Sequence, residues 1–401
     1  MRALIAEIDR VVAEGNCSGC GACLLLDDGL ELQIADDGFS RPVQSGPTTA
    51  APDAAAAFRA SCPGRIVRAG NEPGAERHPT MGPVVAVWRA WAADDAVRLA
   101  GSSGGTLTAL ADWLRSSGRA TRVTGVAAAK DARRTVPISI TTREQALASA
   151  GSRYAPVAGS LPRPGGATVA APCRVSAMRA LGEDHRRSEL RDEILLSFYC
   201  AGTPSQGATD ALAEQLVGEG PAAALRYRGD GWPGRFAVTG ATGSTASLGY
   251  EESWGAHLGR ALHPRCKLCP DGVGESADIV AADLWDADAR GYPVFDDGAG
   301  TSALIARTRR GYDIILAAVE AGVLIVHPMR IERLAAVQPL HVERRSTLAG
   351  RMLGAVVAGR RVPRYRGFRL VALALPRWRL ALRAARGTWH RLRAPRLGQP
   401  S

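Results

Sequence analysis

The chain has 401 residues, of which 46% are hydrophobic and 22% are charged, a composition typical of a globular protein with two or three packed subdomains. No apolar run reaches the roughly 18 residues of a membrane span, and the first residues lack the apolar stretch of a signal peptide, so we expect a cytoplasmic protein. The net charge of +11 lies in the tail, because residues 344–401 hold 15 arginines and no acidic residue, which leaves −4 (11 − 15) for the body. The basic total therefore says nothing about nucleic-acid binding by the body, and we expect no nucleic-acid partner.

Four cysteines near the start of the chain have the spacing of an iron–sulfur site. Cys17, Cys20 and Cys23 are two residues apart, and Cys62 is followed by proline. This is the bacterial ferredoxin pattern, in which one tight loop supplies three ligands of a 4Fe-4S cluster and a remote Cys-Pro supplies the fourth. Zinc, disulfides and buried free thiols are the alternatives, but zinc sites usually pair two C-x-x-C turns. The sequence predicts a ferredoxin-like 4Fe-4S module over residues 1–75, with a loop and short helix from residue 40 leading to Cys62.

Beyond this module, strand and helix patterns alternate. The predicted elements in chain order are a strand at 84–91, a glycine–serine turn at 101–106, a helix at 107–114, a strand at 121–128, short buried strands at 167–171 and 193–198, a hairpin at 237–247, and a strand, helix and strand between 302 and 330. This order predicts an α/β core with a mixed sheet. Its N-terminal part spans residues 80–160 and its C-terminal part 161–345, and a basic helical tail covers 346–401.

The glycine–serine turn is a candidate anion site. Backbone amides at a helix start point outward, and the absent side chains of two glycines would let a diphosphate approach. The candidate ligands are Ser102, Ser103, Gly104, Gly105 and Thr106. Taken alone, the run lacks the spacing of a dinucleotide-binding fingerprint, and an ordinary capped helix start is the favoured interpretation.

Four further cysteines complete the count of eight. Cys173 and Cys200 each follow a predicted buried strand, and Cys266 and Cys269 form a C-x-x-C pair followed by proline. Strand ends are where α/β sheets build their sites. From spacing alone, these residues suit a second cluster, a zinc half-site, a redox dithiol or core thiols.

Six segments in order resemble a known family. They are 98–110 (Arg-Leu-Ala-Gly-Ser-Ser-Gly-Gly-Thr-Leu-Thr-Ala-Leu), 151–154 (Gly-Ser-Arg-Tyr), 171–173 (Ala-Pro-Cys), 198–200 (Phe-Tyr-Cys), 227–234 (Tyr-Arg-Gly-Asp-Gly-Trp-Pro-Gly) and 266–279, which begins Cys-Lys-Leu-Cys-Pro-Asp-Gly. Together they resemble the beta-subunit family of coenzyme F420 hydrogenases and dehydrogenases, which includes the 7-hydroxymethyl chlorophyll a reductases. The resemblance covers roughly residues 84–345, and the first cysteine run resembles the ferredoxin-like extension of longer members.

The resemblance implies a flavoprotein that binds FAD and two 4Fe-4S clusters. The second cluster would use Cys173, Cys200, Cys266 and Cys269, so that all eight cysteines are ligands. We expect Ser152, Arg153 and Tyr154 to add to the flavin site, the arginine as a phosphate fork and the tyrosine by stacking; a surface salt bridge and a core aromatic are their alternatives. Two departures affect the pocket: Arg174 stands where the family often has glutamine, and Ala282-Asp283 replaces a common Gly-Asp.

The implied activity is electron relay by an iron–sulfur flavoprotein oxidoreductase. Electrons would run from a donor, reduced ferredoxin or coenzyme F420, through the cluster of Cys17, Cys20, Cys23 and Cys62, then the second cluster and FAD, to a small organic substrate. A non-enzymatic electron-transfer subunit and a zinc-binding interaction module are the alternatives. No catalytic acid is identified: Asp271, Glu275, Asp278 and Asp283 could carry protons, but a solvated acidic loop is the favoured interpretation.

The tail has a helical pattern of its own. Trp378, Leu382, Ala385, Trp389 and Leu392 recur at intervals of four and three from a helix start at Pro376. The arginines lie outside this stripe. The stripe could lie on an anionic membrane surface, dock a partner protein, or pack on the protein's own acidic body.

Overall fold

The computed structural model describes residues 2–288, 294 and 298–393. The strands in this part are β1 (Leu30–Ile34), β2 (Ser40–Gln44), β3 (Ile66–Arg68), β4 (Glu76–His78), β5 (Gly82–Val84), β6 (Ala86–Ala92), β7 (Arg122–Ala128), β8 (Thr135–Ile140), β9 (Gly166–Val169), β10 (Ile194–Phe198), β11 (Ala222–Arg226), β12 (Arg235–Gly240), β13 (Thr245–Gly249), β14 (Ile279–Asp283), β15 (Ser302–Ala306), β16 (Leu324–Pro328) and β17 (Arg364–Arg366).

The helices of the same part alternate with these strands. They are α1 (Arg2–Ala13), α2 (Ala54–Ser61), α3 (Asp95–Ala100), α4 (Thr106–Ser116), α5 (Arg143–Ala148), α6 (Pro172–Glu183), α7 (Gln206–Val217), α8 (Tyr250–Glu252), α9 (Arg309–Glu320), α10 (Ile331–Ala336), α11 (Pro339–Val357), α12 (Leu370–Ala374) and α13 (Trp378–Arg393). Short 3₁₀ turns lie at Ala22–Leu25, Pro264–Leu268 and Leu375–Arg377.

An eight-stranded mixed sheet forms the centre, with the strand order β16-β6-β15-β14-β10-β9-β7-β8. The four strands β14, β10, β9 and β7 run parallel, and the outer pairs are antiparallel. Parallel strands end at the same edge, so the residues that follow β9, β10 and β14 are brought together there. The predicted mixed α/β core is confirmed. The predicted strand at 167–171 ends at Val169, because Pro172 begins α6 at a position where proline needs no amide hydrogen.

Both faces of this sheet are buried. Along β14, Ile279 and Ala281 contact one core with Leu110 of α4, whereas Val280 and Ala282 contact the other with Val175 of α6. This is the alternation of a strand that has helices on both sides. The domain boundaries near residues 75, 160 and 345 stay predictions, and both predicted parts of the core contribute strands to the one sheet.

The N-terminal module holds a hairpin that the sequence did not predict. β1 and β2 pair antiparallel over Leu30–Ile34 and Ser40–Gln44, so the predicted loop from residue 40 is wrong for its first five residues. Pro42 is compatible with this strand because a two-stranded ribbon has free edges. The predicted short helix before Cys62 is present as α2, whose Phe58 packs with Leu4 and Ile8 of α1.

The C-terminal region folds back onto the first module. β17 pairs in parallel with β3, and Asn16 donates a hydrogen bond from Nδ2 to the carbonyl oxygen of Arg361 at 3.0 Å. α13 lies along α11 so closely that a Cβ on Gly350 or Gly354 would overlap the carbonyl oxygen of Ala381 or Ala385. Within the described residues, no helix has both the length and the apolar character to cross a bilayer.

The face of α13 that packs coincides only in part with the predicted stripe. Ala381, Ala385 and Thr388 are buried, whereas Trp378 and Leu382 remain more than half exposed. Small side chains face α11 because the glycines there permit backbone contact, which a tryptophan would prevent. The predicted intramolecular packing is present: Ala385 is buried and Trp389 and Leu392 are half-buried, whereas Trp378 and Leu382 remain in solvent.

Candidate cofactor sites

The first four cysteines line one cavity. Cys17, Cys20, Cys23 and Cys62 share its wall with apolar side chains from both helices of the module: Ile8, Val11 and Phe58. Gly19 and Gly21 have φ angles of 66° and 74°, which turn the loop around the cavity in a conformation that favours glycine. The structure therefore brings these four side chains together, and a cluster bound by them stays a prediction.

Burial controls the protonation of these thiols. It raises the pKa of Cys17 to about 11 and raises the pKa values of Cys23 and Cys62 as well. Cys20 differs: a hydrogen bond from the Cys173 thiol lowers its pKa to about 6. Ligation of a metal centre by such thiols must displace their protons.

The second four cysteines also lie near one another. Cys173 is the second residue of α6, and Cys200 follows β10, where its amide donates to the carbonyl oxygen of Gly272 at 2.8 Å. A Cβ on Gly202 would lie 3.1 Å from Cβ of Cys266. Burial, followed by the nearby Cys266 and Cys269, raises the pKa of Cys200 to about 12. Both strand ends and the C-x-x-C loop therefore meet at the carboxyl edge of the parallel strands.

Two buried arginines join the cysteine sets. Arg174 directly follows Cys173, and its Nε donates to the carbonyl oxygen of Cys20 at 2.6 Å. Arg265 directly precedes Cys266, and its Nη2 donates to the carbonyl oxygen of Pro63 at 2.8 Å. Their exposed fractions are 7% and 3%. Each arginine thus links the second set to backbone beside the first.

The sequence pointed to one of these arginines only. Arg174 stood out as a departure from the family pattern, although its contact with the other set was not foreseen. Arg265 carries no local signal, because nothing in its neighbourhood indicates that the Pro63 carbonyl lies beside it. Both contacts depend on the packing of the module against the core.

A neutral histidine adds to the same junction. The ring of His263 lies 4.3 Å from that of Phe39, and Nη1 of Arg41 lies 3.1 Å from its Nε2. Burial, with the neighbouring Arg41 and Arg265, lowers the pKa of His263 to about 3. This imidazole is therefore uncharged at neutral pH and can pack between two cations.

The donor chemistry of both sets fits iron–sulfur ligation. All eight cysteines are free thiols, and thiolate is the ligand that 4Fe-4S clusters take. In the described part of the chain, no three His, Cys, Asp or Glu side chains gather around a point suited to one metal ion. The first four thiols instead surround a cavity, an arrangement that suits ligands for the separate corners of a cluster.

The two predicted flavin-binding segments contact each other. The hydroxyl oxygens of Ser102 and Ser152 lie 2.8 Å apart, although fifty residues separate them. The ring of Tyr154 packs against Trp254, with centroids 5.0 Å apart. Buried Arg228 reaches the Tyr154 hydroxyl at 3.4 Å and Asp283 Oδ2, at the end of β14, at 2.6 Å. Arg228 lies in the Tyr-Arg-Gly-Asp-Gly-Trp-Pro-Gly segment, but its own role was not predicted.

Close packing explains why the turn contains Gly104 and Gly105. A Cβ on Gly104 would lie 2.5 Å from the carbonyl oxygen of Ala90, and one on Gly105 would lie 2.6 Å from that of Val97. The Gly104 amide already donates to Ser302 Oγ at 3.0 Å. The glycines are therefore required for packing of the turn against β6 and α3, and they add nothing to the case for a diphosphate.

Two other predicted flavin ligands differ in availability. Thr106, the first residue of α4, is 1% exposed, and its hydroxyl has no hydrogen-bond partner among the described residues. Arg153 uses its guanidinium on the protein, with Nη2 donating to the carbonyl oxygens of Ala132 and Arg134. The Thr106 hydroxyl is therefore available to a bound ligand. The backbone contacts of Arg153 leave fewer of its N–H groups to donate to a phosphate.

The predicted solvated acidic loop is wrong. Asp271, Glu275 and Asp278 are at most 2% exposed. Glu275 pairs with Arg345 and, at 2.8 Å, with Arg77, while Asp278 pairs with arginines of α6 and α9. Burial, followed by Glu275, raises the pKa of Asp271 to about 6. These carboxylates stabilise the loop after the C-x-x-C pair. Their arginine partners lie on other elements, so the local sequence did not indicate the pairing.

A polar cavity of about 340 Å³ lies between the first module and the core. Its wall includes Arg68 of β3, Arg179 of α6 and the buried Arg307. None of the predicted flavin residues lines it. This cavity is therefore separate from the Ser102–Ser152 contact.

Comparison with known proteins gives a family match over most of the core. A family model described as coenzyme F420 hydrogenase/dehydrogenase, beta subunit N-term, matches residues 87–161, and the corresponding C-terminus model matches residues 166–332. A chain of the F420-reducing [NiFe] hydrogenase complex from Methanosarcina barkeri, solved as a xenon derivative, is 19% identical with a TM-score of 0.49, over 68% of this chain and 96% of that one. No curated protein matches.

Proposed function

Because the chain belongs to the coenzyme F420 hydrogenase/dehydrogenase beta-subunit family, we propose that it is an iron–sulfur flavoprotein oxidoreductase. It would relay electrons between an external donor, reduced ferredoxin or coenzyme F420, and a small organic substrate. The observation that carries this proposal is the junction between the two four-cysteine sets, where Arg174, next to Cys173, donates to the Cys20 carbonyl oxygen at 2.6 Å and Arg265, next to Cys266, donates to that of Pro63 at 2.8 Å. Adjacent redox sites of this kind suit transfer from one to the other.

The chain's own residues would hold, separate and electrically balance the two centres. Cys17, Cys20, Cys23 and Cys62 would ligate one 4Fe-4S cluster, and Cys173, Cys200, Cys266 and Cys269 the other. When bound, the clusters supply one-electron transfer and FAD supplies two-electron chemistry. Arg174 and Arg265 place two buried positive charges between the anionic thiolate sets, which lowers the electrostatic cost of adding electrons there.

The flavin would lie at the same sheet edge. Ser102, Ser152, Thr106 and Tyr154 are the residues we propose to hold it, with Ser103, Gly104, Gly105 and Arg153 as the further members of the predicted set. The support is the meeting of the two segments and the unpartnered, buried Thr106 hydroxyl at a helix start, where the helix dipole favours a phosphate. Asp283 ends β14 next to β10, whose end leads to Cys200, so both sites share the carboxyl edge.

The test is the cofactor content of protein purified without oxygen. We expect about eight iron atoms and one FAD per chain, from four irons in each cluster. Cys20→Ala and Cys269→Ala should each remove half of the iron and retain the flavin, so each serves as the control for the other. Thr106→Val should weaken flavin binding and keep all the iron.

Two results would contradict this proposal. One is stoichiometric zinc without visible absorption, which would indicate the interaction-module alternative. The other is a colourless, iron-free protein after reconstitution. A protein that accepts electrons through both clusters but reduces no small acceptor would be the electron-transfer subunit instead.

A further inference from the structure

The C-terminal helices carry an apolar line that the fold does not cover. Val371, Leu375, Trp378 and Leu382 follow one another at intervals of four, three and four, so they lie along one side of the helical segment from α12 to α13. Their exposed fractions are between 53% and 68%. Exposed large side chains in one line are unusual on a surface with no partner.

This line is distinct from the face that packs inside the protein. The buried positions of the same segment are Ala374, Ala381, Ala385 and Thr388, and they face the body through α11. At 100° per residue, the exposed line lies beside the buried face rather than within it. Intramolecular packing therefore holds the helix in place without hiding Trp378 or Leu382.

A basic line runs along the far side of the apolar one. Arg379, Arg386 and Arg393 are seven residues apart, and all three are exposed. In the described residues, no carboxylate pairs with any arginine from 377 to 393, and the sequence has no acidic residue after Glu343. The segment thus shows three adjacent lines, one buried, one apolar and one cationic.

We propose that this segment, residues 370–393, docks the protein on an anionic lipid surface. Trp378 and the leucines would enter the boundary between headgroups and acyl chains, while the arginine line meets lipid phosphates. Charge complementarity selects this occupant, because the charged side chains of the segment are all positive and the lipid surface is negative. The apolar side chains of the segment are also those that favour the bilayer interface. The small buried residues fix the helix so that both lines face the same surface.

The test uses the full chain and vesicle sedimentation. Wild-type protein should bind vesicles that contain phosphatidylglycerol, should bind pure phosphatidylcholine far less, and should dissociate as salt rises. The pair Trp378→Ser and Leu382→Ser should lower the partition coefficient on anionic vesicles about tenfold or more, as should Arg379→Gln with Arg386→Gln. Leu316→Ser on α9, an exposed leucine elsewhere, is the matched control and should change nothing.

Substitution is preferable to truncation because deletion of α13 would also uncover α11. Far-UV circular dichroism and a thermal melt confirm that each variant keeps its fold. Equal binding to neutral and anionic vesicles would overturn the proposal, and so would wild-type binding by the Trp378 and Leu382 variant. No vesicle binding at low salt, including the case in which the segment captures a protein instead, would overturn it as well.

Discussion

Two arginine side chains connect the cysteine sets that the sequence located separately. The spacing of Cys17, Cys20 and Cys23 is a local property that singled out the first set, whereas the second set was assigned through the family resemblance. The contacts of Arg174 and Arg265 are long-range, since each guanidinium reaches backbone more than one hundred and fifty residues away. Both cysteine sets could thus be proposed as ligands before the fold was known, whereas the charges placed between them could not.

Arg174 offers a direct test of this electrostatic arrangement. Arg174→Gln removes a buried positive charge beside Cys20, Cys23 and Cys173. Loss of that charge destabilises the reduced, more negative state, so cluster reduction potentials should fall by on the order of 60 mV, equivalent to about 1.4 kcal/mol for one electron. Redox titration followed by electron paramagnetic resonance measures the shift.

Arg174→Lys is the matched control. It keeps the charge but loses the planar fork that donates to the Cys20 carbonyl. Its potentials should therefore stay close to those of the wild type. Equal shifts in both variants would show that Arg174 acts through backbone position and not through charge.

At the scale of elements, the hydrophobic pattern predicted which segments form the central sheet. It did not predict all of the contacts between elements. The hairpin of β12 and β13 and the strand–helix–strand unit of β15, α9 and β16 were identified because their turns and periodicity are local. β2 was missed because Pro42 and its neighbours resemble a loop. The face with which α13 packs was predicted only in part, since it depends on two glycines in another helix.

Those glycines make the contact between α11 and α13 sensitive to one methyl group. Gly354→Ala should force the helices apart and lower the free energy of unfolding by about 1–3 kcal/mol, the usual cost of overpacking. Gly387→Ala, in α13, is the matched control: its Cβ would meet only the flexible end of Arg391, so it should stabilise by up to about 1 kcal/mol. Thermal and denaturant unfolding of both variants measures the difference. A Gly354→Ala protein as stable as the wild type would contradict the close approach.

At the scale of the whole molecule, the order of the two cysteine sets predicts an order of electron entry. The first set lies in the N-terminal module, and the second lies at the sheet edge shared with the Ser102–Ser152 contact. Cys20→Ala should therefore abolish flavin reduction by a protein donor but leave direct chemical reduction intact. Cys269→Ala should block transfer to the flavin from the first set too.

Stopped-flow absorbance of the flavin, with reduced ferredoxin and with a chemical reductant, separates these cases. Normal donor-driven reduction in Cys20→Ala would refute the order. Iron analysis of each variant serves as the control, because the remaining cluster must be present for the comparison to have meaning.

The pairing of β17 with β3 has a consequence for how the protein is made. The strand that completes the first module's edge is about three hundred residues downstream, and Arg361 accepts a hydrogen bond from Asn16 across almost the whole chain. A ribosome delivers the first four cysteines long before it delivers β17, and the contacts of Arg174 and Arg265 arrive in between. The β3 edge of the nascent module therefore stays unpaired until the ribosome has delivered β17.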